Sequence, residues 1–138
     1  MISSRSVFLG KLIGFYAIFI ALSMFARKQV MVAGVTALFH DPSFLIIYGV
    51  IALGVGLAIV LGHNVWSGGV LPITVTIVGW LSTIKGLVLL FASPDALGTY
   101  VQTIRYEQLY YLYAAFTLAI GALLTYSAFT APQERPGT

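Results

Sequence analysis

Charged residues are missing from long stretches of this chain. Four stretches reach the roughly 20 residues that a helix needs to cross a hydrocarbon core about 30 Å thick. The first covers about residues 7–26, broken by Lys11 near its start and closed by Arg27-Lys28. The second, 42–62, carries no charge; the third, 71–91, contains only Lys85; the fourth covers 109–131. The pattern predicts an all-α fold: an integral membrane bundle of four transmembrane helices forming a single domain, 1–138.

The punctuation of the chain supports these limits. Asp41-Pro42 reads as an N-cap followed by proline at the first helical position, where the missing N–H is not needed. Pro72 follows the flexible Ser67-Gly68-Gly69, and Pro132 ends the fourth span before a polar tail expected to be mobile. Residues 28–39 are apolar but too short to cross, and Ser93-Pro94 opens a second short segment at 94–105. Both are expected to be interfacial helices. The basic start and the small residues Ala21 and Ser23 also suit a cleaved signal peptide, but the small-residue stripe of the first span favours a retained helix.

Composition sharpens this picture. Of 138 residues 59% are hydrophobic and 8% charged, against about 25% charged in soluble domains. That excludes a soluble enzyme. The net charge of +3 rests on seven Lys/Arg against four Asp/Glu, too few to build a phosphate-binding stripe, so no nucleic-acid partner is expected. With no cysteine, disulfide and thiolate chemistry are out of reach. Four spans put both termini on one face, side A, together with the 63–69 loop. Side B holds Arg27, Lys28, Asp41 and the 93–107 connection, and the count of basic residues leans toward a cytoplasmic side B.

Within lipid, close helix approach relies on small side chains. Gly10, Gly14, Ala17 and Ala21 form one stripe down the first span, a candidate helix-packing surface either inside the bundle or between copies. Tyr100, Tyr106, Tyr110, Tyr111 and Tyr113 gather at the side B start of the fourth span, as an aromatic belt or a stacking platform.

Lys85 is the most informative residue. It lies about four residues past the middle of its span, roughly 6 Å beyond the midplane, where a charge must pair, snorkel or face water. Asp41, Asp95 and Glu107 on side B are its candidate partners, and together they form a polar intramembrane site or a helix-to-loop clasp. A second candidate site is the side A loop with His63, Asn64 and Trp66, where the plainer reading is a C-cap and an interfacial anchor. About 20 Å of helix between Pro72 and Lys85 separates the two. His40 and His63 lie on opposite faces, and no catalytic, cofactor or metal site is expected.

The run Gly62-His63-Asn64-Val65-Trp66, followed by Val75-Thr76-Ile77-Val78-Gly79-Trp80 and Ile84-Lys85-Gly86, resembles a small family of bacterial four-span membrane proteins. The resemblance covers the middle third of the chain. It implies a bacterial inner-membrane location and attaches no activity. The expected function is a non-catalytic membrane protein acting by association, as a homo-oligomer or an accessory subunit with a protein partner and membrane lipid around it. The alternative is a small transporter or channel for an anionic or neutral solute, with Lys85 as the recognition charge.

Overall fold

The computed structural model describes residues 2–132, so the polar tail, 133–138, lies outside it. Among the described residues six helices follow one another: α1 (Ser4–Ala26), α2 (Lys28–His40), α3 (Pro42–Gly62), α4 (Val70–Phe91), α5 (Pro94–Ile104) and α6 (Tyr110–Thr130). The four long ones, α1, α3, α4 and α6, are each apolar enough to cross a membrane, and the chain is a multi-pass membrane bundle. Their outward faces carry large apolar side chains such as Phe8, Phe19, Ile46, Leu61, Phe91 and Phe116, as surfaces that meet lipid must.

Local chemistry sets the ends. Ser3 caps α1 by accepting the Ser6 N–H, which starts the helix a turn before the long apolar run. Asp41 caps α3 through the Ser43 N–H. Ser93 does the same for α5 through Ala96. α5 stops at Ile104 because Arg105 turns left-handed (φ 46°, ψ 51°), a conformation that is uncommon outside glycine.

The bundle is two tight pairs, α1 with α6 and α3 with α4, joined through α1–α4 and α4–α6 contacts. Glycine makes both pairings possible. A methyl group on Gly14 would sit 2.9 Å from the Thr125 backbone nitrogen, and one on Gly86 would sit 2.7 Å from Leu53 Cα. The stripe Gly10, Gly14, Ala17 and Ala21 is buried, with Gly10 against Leu71 and Ala128 and Gly14 against Gly121 and Thr125. It is therefore filled by α4 and α6 within one chain. The Ile2 N–H donates to Pro132 O at 3.3 Å, placing the two ends side by side on side A.

α2 and α5 lie across the side B end. α2 buries no residue fully. α5 presents Leu97, Tyr100, Val101 and Ile104, an i, i+3, i+4, i+7 stripe, and packs Leu97 onto Leu45 and Leu89. The Tyr113 hydroxyl donates to Ile104 O at 2.5 Å and ties the end of α5 to α6.

Candidate functional site

An open-sided cavity of about 590 Å³ lies in the side B half of the bundle, with Leu81, Ile84, Lys85 and Tyr100 exposed along its wall. All six helices and the α5–α6 connection contribute to its wall, from Tyr100 and Ile104 near the interface to Leu81, midway along α4. The wall is mostly aliphatic. Its polar groups are Tyr48, Lys85, Tyr100, Tyr106, Tyr113 and Thr117. A largely apolar hollow of this size with a few converging polar groups is the usual form of a small-molecule site.

Lys85 is the one charged side chain on this wall. Its Nζ donates to the Tyr48 hydroxyl and lies 4.6 Å from the centre of the Tyr48 ring. Both groups come from the α3–α4 hairpin. Tyr48 is six residues after Pro42 and Lys85 is six before Phe91, so antiparallel packing sets both about 9 Å from the side B ends of their helices. The phenol orients the ammonium but does not neutralise it.

The expected carboxylate partners are not gathered around this ammonium. Asp41 accepts the Ser43 N–H, and Asp95 sits in the first turn of α5, where helix N-termini favour an anion. Glu107 lines a second hollow of about 560 Å³ nearer the water, together with Thr36, His40, Gln102, Arg105 and Gln108. The two hollows share Val35, Phe39, Ile104 and Tyr106. Burial pushes the Tyr106 phenol up from its ordinary value, and Tyr110 and Tyr48 add to the rise. It therefore stays a hydroxyl donor at neutral pH.

Ring contacts join four of the tyrosines into one cluster, with Tyr110 at 5.6 Å from both Tyr106 and Tyr111. Tyr106 and Tyr113 stack at 6.0 Å on the cavity wall. Tyr110 is buried and donates to Met24 O at 2.6 Å. Lys28 lies 4.9 Å over the Tyr111 ring.

The side A residues make a separate cluster. His63 is the C-cap residue of α3, but its imidazole turns inward, 2.7 Å from Ser6 Oγ through Nε2 and 3.3 Å from Thr76 Oγ1 through Nδ1. Thr76 Oγ1 also accepts the Val65 N–H and donates its one hydrogen toward the Val65 or Pro72 carbonyl. That leaves Nδ1–H as the donor and Nε2 to accept the Ser6 hydroxyl. Ser6, His63 and Thr76 are all buried, and the cluster joins the ends of α1, α3 and α4. Asn64 does not act through left-handed backbone, which among non-glycine described residues only Arg105 adopts. Its Oδ1 instead accepts both indole N–H groups, from Trp66 at 2.8 Å and Trp80 at 3.4 Å.

Among the described residues no group of three or more His, Asp or Glu is placed to hold a metal ion. No protein-family model, curated protein or solved structure matches the chain.

Proposed function

We propose that this chain is a non-catalytic membrane protein that binds an amphiphilic anion in its side B cavity, with Lys85 as the recognition charge, in the inner membrane of a bacterium. The observation that carries the reading is the setting of Lys85: an ammonium at hydrocarbon depth, on the wall of a cavity, hydrogen-bonded to a neutral phenol. A charge placed there disfavours the membrane-inserted state by about 3 kcal/mol or more. An anion seated against Nζ would offset that penalty, and the aliphatic wall suits an attached hydrocarbon chain. The buried Ser6–His63–Thr76 cluster on side A supports binding from side B rather than an open pore. The Gly10 stripe, one candidate surface for association between copies, is filled by α4 and α6, and the cavity carries the reading.

The test is saturation binding of radiolabelled lysophosphatidylglycerol, a single-chain phosphodiester, to purified protein in neutral maltoside micelles. The expected result is one saturable site that Lys85→Met weakens at least about tenfold and Lys85→Arg largely keeps, as loss of a hydrogen bond to a charged group implies. Equal binding by wild type and Lys85→Met, or the lack of a saturable site, would overturn the proposal.

A further inference from the structure

The outer hollow has a chemistry different from the inner one. Its polar wall holds Arg105 and Glu107, one charge of each sign, with Thr36, His40, Gln102 and Gln108 around them. His40 Nδ1–H donates to Thr36 O at 2.7 Å, which fixes the ring and leaves Nε2 for another partner. Arg105 enters this wall from a left-handed backbone, a conformation that costs about 1 kcal/mol or more and is often found at binding sites. Formal charges of Arg105 and Glu107 cancel, so this wall matches a group with both signs better than a lone anion. The shared residues Val35, Phe39, Ile104 and Tyr106 set the two hollows side by side.

We propose that the outer hollow is a headgroup site and that the ligand is a phospholipid-type amphiphile with a zwitterionic head. This rests on the Lys85 reading above. The phosphodiester sits against Lys85, and the acyl chain runs toward Leu81 and Thr117. An amino-acid-like head occupies the outer hollow, its carboxylate on Arg105 and its ammonium on Glu107.

The experiment compares two lipids with the same phosphodiester and chain, lysophosphatidylserine and lysophosphatidylglycerol, in the same micelles. Wild type is expected to bind the serine lipid at least about tenfold more tightly, as two additional charge-assisted contacts imply. Arg105→Asn, chosen because asparagine tolerates left-handed backbone, and Glu107→Gln should each remove that preference. Unchanged binding of the glycerol lipid would show that both variants fold. Lys85→Met should weaken both lipids together. Equal affinity of wild type for the two lipids, or a preference that survives both variants, overturns the headgroup site and leaves the Lys85 reading standing. If neither lipid binds saturably, both proposals fall.

Discussion

Single residues decide how closely the helices of this bundle approach, and glycines of similar helical setting differ sharply. Gly86 faces the Leu53 backbone, while Gly54 has nothing near it. Gly86→Ala should therefore destabilise by about 1–3 kcal/mol through overpacking. Gly54→Ala should be neutral or stabilising by up to about 1 kcal/mol through helix propensity. Thermal unfolding in detergent checks both, and a matching sign for the two would contradict this packing. Thr76 offers a polar counterpart. Thr76→Val removes the partner of the Val65 N–H and of His63 Nδ1 and should lower stability by about 1–3 kcal/mol, because buried donors are left unmade. Thr125, whose Oγ1 is buried without a hydrogen-bond partner, should tolerate the same change to valine. At alkaline pH the raised Tyr106 adds a further expectation. Its folded-state value exceeds the unfolded value of 10.0, so its contribution is complete below pH 10 and is lost as pH rises through the folded value. Tyr106→Phe should flatten the fall in melting temperature above pH 10; an unchanged fall would show that other groups dominate.

Elements were more legible in the sequence than the site was. The four spans and both short helices stand within a few residues of the limits set by charge, proline and capping residues, since those signals are local. Pairing was not legible, because small residues occur on every span and do not say which neighbour they meet. The Gly10 stripe could have faced lipid or a second copy; it faces α6 and α4. Lys85 stands out by its depth, but its partner is the Tyr48 phenol and none of the carboxylates at the side B helix ends. The missed signal was arithmetic: in an antiparallel hairpin, residues six from each end lie level. Arg105, His40 and the glutamines of the outer hollow were invisible as a group because α2 and α5 are distant in the chain. Tyr113 and Leu97 hold α5 in place. Tyr113→Phe should raise hydrogen exchange over 94–104 while sparing α3 and α4; uniform protection would mean that α5 is held by other contacts.

At the scale of the whole molecule, the bundle is asymmetric across the membrane, sealed by a hydrogen-bonded cluster on side A and hollow on side B. The chain has no cysteine, so single cysteines report topology cleanly. Ser67→Cys and Gln108→Cys should react with a membrane-impermeant maleimide from opposite sides, Gln108→Cys from the cytoplasm. Labelling of both from one side would contradict four spans. The most direct test of the central claim is native mass spectrometry of the protein released from its own membrane in mild detergent. A single acidic, phosphate- or carboxylate-bearing amphiphile bound to the wild type and absent from Lys85→Met is the predicted result. The same adducts on both proteins would contradict a recognition role for Lys85.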